Sequence, residues 1–195
     1  QLDFYVQHLS GFLQDNPNGN YARALALGAN IQCLPAAVKG ASVEAYLQQW
    51  QREHEPQAVF IAEGGRMQEA EWGIKQLAQE VITWSHAQNF TALNVVLPSG
   101  TGTTALYLQK HLPFDVITCP CVGDSRYLTQ QFNSLAPNLP RYPQIITPAK
   151  KHHFGKLYPE FVSVWQQLKQ QTQVEFELLY DPLAWLYVVP ELQRI

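Results

Sequence analysis

The sequence predicts a three-layer α/β protein, in which a mainly parallel sheet is covered by helices on both faces. Two observations support this fold class. Segments with strand character alternate with segments of helical periodicity along the 195 residues. The strand-like segments are also apolar throughout, rather than at every second residue, which is typical of strands buried on both faces.

The first part of the chain predicts a partly helical start and then one strand between two helices. Gly28 is a natural stop for the first of these helices, because glycine readily adopts the left-handed conformation that ends a helix. Ser42 suits the start of the second, and Glu44 places an acid in its first turn. The four predicted elements span residues 1–15, 21–27, 29–35 and 42–54.

The middle of the chain predicts two buried strands, each followed by a helix. The apolar run at 57–65 ends in glycines and reads as a strand with a turn. Helical spacing of apolar residues then predicts a helix over 67–85. A central strand follows at 93–98, and a helix is predicted over 104–111.

The last part of the chain continues the alternation. Asp124 predicts the start of one helix as its cap, and Pro159 suits the first turn of another. The predicted strands span residues 114–122, 143–148 and 175–180, the predicted helices span 124–135 and 158–171, and a short apolar element closes the chain at 183–189.

Composition limits the kinds of binding partner and the cellular compartment that we expect for this chain. The net charge is -3 and no long basic run occurs, which argues against a nucleic-acid partner. We expect no membrane partner either, because no apolar run reaches the length of a membrane helix. Three cysteines in a CPC-containing pattern predict buried thiols in the cytoplasm. Adjacent His152 and His153 lack a further ligand nearby, so we expect no metal site.

The most informative stretch joins a predicted strand to a predicted helix. Residues 95–108 read VVLPSGTGTTALYL, and the small residues between the two apolar segments are Ser99, Gly100, Thr101, Gly102, Thr103 and Thr104. Free amides at a helix N-terminus attract an anion, and threonine hydroxyls add donors. Glycine lets the backbone approach a ligand closely. We therefore predict a phosphate cup at the carboxyl end of a strand.

This stretch is compatible with four interpretations. A P-loop would need a lysine after Gly102, and none stands there. The letters from Gly100 to Ala105 match a dinucleotide fingerprint, but the acid expected at the end of the next strand is missing. Asp115 stands at the start of that strand, and Asp124 lies beyond it. The two remaining interpretations are a tight turn without a ligand and a cup for a single phosphate.

Five stretches, in order along the chain, resemble one known family. They are NGN followed by LGA (18–29), AEGG (62–65), the small-residue loop, KHHFG followed after a helix by QVEF (151–176), and Tyr180-Asp181. Together they resemble the pyridoxal-phosphate (PLP) enzymes of the tryptophan-synthase-β fold. Within that group the chain is most similar to the family of 1-aminocyclopropane-1-carboxylate (ACC) deaminase and D-cysteine desulfhydrase.

The resemblance implies a PLP-dependent deaminase or lyase that acts on a small amino acid, as a homodimer in its full-length form. The loop from Ser99 to Thr104 would bind the phosphate of PLP. Tyr180 would be an acid/base or orienting group near the substrate, and Asp181 would face the pyridine nitrogen. The substrate cleft would include Glu63, Gly64 and Gly65. One departure is clear, because Pro182 and Leu183 stand where the family has glycine and lysine.

The family also holds PLP as a Schiff base on a lysine in a glycine–asparagine–lysine context. None of the lysines has that setting, and they are Lys39, Lys75, Lys110, Lys150, Lys151, Lys156 and Lys169. We therefore expect residues 1–195 to be one α/β unit from the C-terminal two-thirds of a longer enzyme, inactive alone. Residues up to about 55 are expected to pack as part of a smaller subdomain. The alternatives are a non-catalytic α/β relative that binds a phosphate-bearing ligand, and a nucleotide-binding oxidoreductase domain.

Overall fold

The computed structural model describes residues 2–40 and 42–192. The chain divides into two compact units, Gln1–Phe60 and Ile61–Ile195. Within the two described ranges, no helix has both the length and the apolar character needed to cross a membrane.

The first unit contains a two-stranded parallel sheet within its described residues. Its elements are β1 (Asp3–Val6), α1 (Gly11–Asp15), α2 (Gly19–Ala26), β2 (Asn30–Cys33) and α3 (Ser42–His54). In the register of the sheet Asp3 pairs with Asn30, and the side-chain NH2 of Asn30 donates to the Asp3 carboxylate at 2.6 Å. Gly28 follows α2 with φ +82°, so the predicted glycine stop is confirmed.

The second unit contains the longer sheet and the candidate site. A single 3-10 turn, Glu63–Gly65, precedes its helices. The other elements are α4 (Ala70–Ala87), β3 (Asn94–Ser99), α5 (Thr103–His111), β4 (Asp115–Pro120), α6 (Ser125–Leu135), β5 (Gln144–Ile145), α7 (Pro159–Thr172) and α8 (Asp181–Leu192). In the described part of this unit the strands form a parallel sheet in the order β3-β4-β5, with Asn94 opposite Asp115 and Ser99 opposite Pro120.

Both faces of this sheet are covered, because successive side chains of a strand point to opposite faces. Val95, Leu97 and Val116 pack into a cluster with α4, α5 and α6. Val96 and Ile117 pack into a second cluster with α7 and α8. The predicted fold class, α/β with parallel strands between layers of helices, is confirmed.

The predicted helix starts at Asp124 and Pro159 are also confirmed. The Asp124 carboxylate accepts a hydrogen bond from the Tyr127 amide at 2.8 Å, as an N-cap does. Pro159 is the first residue of α7, where the missing N–H of proline costs nothing.

Three strand predictions need correction. Residues 57–62 are irregular and lead into the 3-10 turn, and residues 175–180 are irregular as well. The strand predicted at 143–148 shortens to Gln144–Ile145. In the opposite direction, the partly helical start contains β1 as well as α1. The three strand errors have the same origin, since an apolar run predicts a strand but does not supply the neighbouring strand that it must pair with.

Candidate functional site

The site begins at the carboxyl end of β3, where hydrogen bonds fix Ser99 on two sides. The Thr118 hydroxyl donates to the Leu97 carbonyl at 2.8 Å and lies 2.6 Å from the Ser99 hydroxyl. Thr118 has a single hydroxyl hydrogen, so Ser99 is the donor of this second bond. The Ser99 carbonyl accepts from the Cys121 amide at 2.8 Å. The end of the strand is therefore held against β4, and the Ser99 hydroxyl is directed toward the sheet.

The backbone after Ser99 leaves a row of amides open. The first backbone bond at this end of α5 runs from the Leu106 amide to the Gly102 carbonyl, at 3.0 Å. Across the described part of the chain, no backbone carbonyl accepts a hydrogen bond from the amides of residues 100–105. No side chain caps this helix start either, among the same residues. These N–H groups and the helix dipole favour an anion at this point.

Gly102 fixes the course of this turn. It adopts the left-handed conformation with φ +77°. A Cβ atom built on it would lie 2.5 Å from Leu128 Cδ1 and 2.5 Å from Phe132 Cε1, both on α6. These distances are far below van der Waals contact, so the turn rests directly on α6. The position needs glycine for its conformation and for its lack of a side chain.

The threonine hydroxyls form a short chain beside the open amides. Thr101 Oγ1 donates to the Gly64 carbonyl at 3.4 Å and lies 3.1 Å from Thr103 Oγ1. Thr103 is buried, whereas Thr104 is exposed. Hydroxyls of this kind can turn toward an anion, because their hydrogen atoms rotate.

The turn is one wall of a cavity of about 320 Å³. Its lining residues are Gly64, Pro98, Ser99, Gly100, Thr101, Gly102, Thr103, Thr104, Ala105, Glu177, Tyr180 and Asp181. The structure thus brings together the six predicted cup residues, both predicted catalytic residues and Gly64. Glu63 and Gly65 lie beside Gly64 in the 3-10 turn and are not part of the lining.

The opposite wall is formed by the start of α8. Asp181 is the first residue of that helix and Tyr180 precedes it. A methyl group at Gly100 would lie 3.4 Å from Tyr180 Cε1, so the phenol ring faces the loop closely. The ring also packs against Phe154, with the ring centroids 4.9 Å apart.

Charge is unevenly distributed over the two walls. The loop offers amide donors, whereas the opposite wall carries the carboxylates of Glu177 and Asp181. Of the residues that the structure describes, no lysine, arginine or histidine lines this cavity. Burial raises the pKa of the Tyr180 phenol above its usual value, and the charge of Glu177 raises it further. Burial also raises the pKa of the Asp181 carboxyl, again with a smaller contribution from Glu177.

The raised pKa of Asp181 gives a testable pH dependence. Below its usual pKa of 3.8 the carboxyl is protonated in both the folded and the unfolded chain, and it makes no difference to stability. As the pH rises through the folded-state pKa, the unfolded chain ionises more easily, so stability is lost. We expect Asp181→Asn to be more stable than the wild type at pH 7 and to lose this advantage at pH 3. Urea denaturation of both proteins at pH 7 and pH 3 measures the difference in their free energies of unfolding. The same difference at the two pH values would contradict the prediction.

Sequence reasoning missed Glu177, because residues 175–180 were predicted as a strand. Asp181-Pro182 does signal a helix start, because proline is favoured in the first turn, but no local pattern singles out Glu177. The prediction that Ser99 helps to bind the phosphate stays a prediction, and its hydroxyl already has a partner in Thr118.

Fold and site together define an α/β protein with an open amide turn at the carboxyl end of its parallel sheet. Among the solved structures that match is one described as that of an ACC deaminase homologue. Its TM-score is 0.72, it is 15% identical in sequence, and the match covers 97% of this chain. The chain spans 60% of the length of that solved chain. At this level of identity the likeness shows the fold alone. No protein-family model and no curated protein matches the sequence.

Proposed function

We propose that this chain carries the cofactor-binding part of a PLP-dependent deaminase or lyase that acts on ACC or D-cysteine, with D-cysteine slightly favoured. One observation carries the proposal. The open amides of residues 100–105 lie across one cavity from the carboxylates of Glu177 and Asp181, on the fold of an ACC deaminase homologue. The proposal extends to a homodimeric full-length enzyme.

The residues present fit PLP at both of its ends. Unpaired amides from Gly100 to Ala105 suit a phosphate, and the absence of a side chain at Gly100 leaves space between the loop and Tyr180. The carboxylates of Glu177 and Asp181 suit the other end of PLP, where a protonated ring nitrogen carries a positive charge. A cavity of about 320 Å³ lies at the lower end of the range for small-molecule sites.

Each residue then has a definite task. The amides of the turn and the hydroxyls of Thr101 and Thr103 would bind the phosphate. Asp181, in its ionised form, would hold a proton at the ring nitrogen. Tyr180, whose pKa is raised, would keep its phenol proton at neutral pH and orient or protonate the substrate. PLP, when bound, supplies an electron sink for negative charge that develops on the substrate carbon.

The covalent anchor of the family is not among these residues. The described lining of the cavity contains no lysine. We expect this chain alone to bind the cofactor without turning over an amino-acid substrate. The same observation favours the second candidate function, a non-catalytic relative that binds a phosphate-bearing ligand.

Pyridoxamine phosphate is the sharpest probe of the proposal, because it lacks the aldehyde that would react with surface lysines. We expect the chain to bind it at least about 100-fold more tightly than pyridoxamine, as two charge-assisted hydrogen bonds would give. Isothermal titration calorimetry of the wild-type chain with both compounds measures the ratio.

Inorganic phosphate and a nicotinamide dinucleotide complete the comparison. Equal affinity for pyridoxamine phosphate and pyridoxamine would refute the phosphate cup. If inorganic phosphate binds as tightly as pyridoxamine phosphate, the ring contributes nothing, and the non-catalytic alternative is preferred. Tight binding of the dinucleotide alone would support the oxidoreductase alternative.

A further inference from the structure

The carboxylate of Glu177 collects the backbone amides that lead into α8. Its Oε2 accepts from the Leu179 amide at 2.7 Å. Its Oε1 accepts from the Tyr180 amide and from the Asp181 amide, the latter at 3.1 Å. One side chain therefore satisfies three consecutive donors, although it is itself exposed to solvent.

The Tyr180 and Asp181 amides are among those that a helix start leaves without intrahelical partners, and the Leu179 amide lies just before the helix. An ionised carboxylate is the strongest acceptor available for such N–H groups, and it is also favoured by the helix dipole. The Tyr180 carbonyl has other partners, since it accepts from Cys121 Sγ at 3.4 Å and from the Ala184 amide at 3.2 Å. The Tyr180 carbonyl is thus held by Cys121, which follows β4, and by α8, whereas the neighbouring amides are held by Glu177.

Tyr180 and Asp181 reach the cavity from this short piece of backbone, and Glu177 lines the same cavity. Their side chains can keep their places only if the backbone keeps its course. A rotation of the segment would move the phenol away from Gly100 and the carboxyl away from the cavity wall.

We propose that Glu177 is a positioning residue, which holds Tyr180 and Asp181 in their places against the ligand cavity. The importance of this role for PLP rests on the proposed function, whereas the positioning itself does not. Glu177 acts through the backbone and is not assigned a proton transfer.

The first test follows amide hydrogen exchange by NMR in the ligand-free chain. Glu177→Ala is expected to speed exchange at Leu179, Tyr180 and Asp181 about tenfold or more, with no change in the core strand β4. Glu177→Gln keeps one oxygen and should fall between alanine and the wild type. Glu175→Ala is the matched control, because Glu175 is an exposed acid that pairs with Lys169 at 3.0 Å instead.

The second test separates positioning from general damage by comparing two ligands. Glu177→Gln is expected to weaken the binding of pyridoxamine phosphate about tenfold and to change the affinity for inorganic phosphate by no more than about twofold. The reason is that the proposal places only the pyridine ring, and not the phosphate, beside Tyr180 and Asp181. An equal loss for both ligands would overturn the positioning role.

Unchanged exchange at the three amides in both Glu177 variants would also overturn the proposal. Should Glu177→Ala fail to fold, Glu177→Gln carries the exchange test through faster exchange at Leu179, since the remaining side-chain oxygen can still accept from Tyr180 and Asp181. Failure of the wild type to bind pyridoxamine phosphate would refute the proposed function alone, because the exchange rates would still decide whether Glu177 fixes the segment.

Discussion

Gly102→Ala is expected to lower the free energy of unfolding by about 2–5 kcal/mol, the sum of a left-handed backbone cost and an overpacking cost. The backbone cost arises because φ is +77° at this position. The overpacking cost arises because the new methyl group would lie 2.5 Å from atoms of Leu128 and Phe132. Both of those side chains belong to the buried core, where they have little room to move.

Gly65→Ala separates the two costs. Gly65 also has positive φ, +62°, but a Cβ atom there would meet nothing within 4 Å. This variant should lose only the backbone part, about 1–2 kcal/mol. Urea or thermal denaturation of the two variants measures the difference. Equal losses would show that the contact between the turn and α6 does not restrain the turn.

Gly64→Ala is expected to have the largest effect on ligand affinity, weakening pyridoxamine phosphate about tenfold or more, as the loss of one charge-assisted hydrogen bond would. The methyl group would lie 2.5 Å from Thr101 Oγ1 and 2.6 Å from its Cγ2. Thr101 must then move, and its hydroxyl loses its place beside Thr103. Because Gly64 and Thr101 are not part of the buried core, the effect on stability should be much smaller than at Gly102.

Gly65→Ala is again the matched control, since it adds a methyl group to the neighbouring residue without touching Thr101. Calorimetric titration of both variants with pyridoxamine phosphate measures the contrast. Equal affinity of Gly64→Ala and Gly65→Ala would show that the Thr101 hydroxyl takes no part in binding.

Much of the fold follows from local signals in the sequence. The helix predicted over 67–85 appears as Ala70–Ala87, and the strand predicted at 93–98 appears as Asn94–Ser99. The helix has clear periodicity and the strand has an unbroken apolar run, and both pack against elements close to them in the sequence. Local sequence is sufficient where the partner surface is also built from nearby segments.

The wrong predictions concern segments whose partners the letters do not reveal. Val59 and Ile61 read as a buried strand, yet they are 80% and 62% exposed in the structure. At 175–180, Glu177 accepts hydrogen bonds from the amides of Leu179 and Tyr180, which a strand would have to offer to its neighbour. A single carboxylate can therefore outweigh an apolar pattern.

The candidate site was predictable in its loop but not in its opposite wall. Glycines and threonines between an apolar strand and a helix indicate either a tight turn or an anion site. Tyr180 and Asp181 entered only through the family resemblance, because nothing local places them opposite residues 99–104. The distance of about 80 positions along the chain is bridged by the tertiary fold.

The contact of Gly102 with α6 has a consequence for how a ligand would associate. A turn that packs directly against a helix cannot move toward that helix, so it acts as a rigid template rather than as a lid. Donors that already point in one direction need no ordering when the anion arrives. The entropy lost on association would then be mainly that of the ligand itself, and complex formation would not wait for a change in the conformation of the turn.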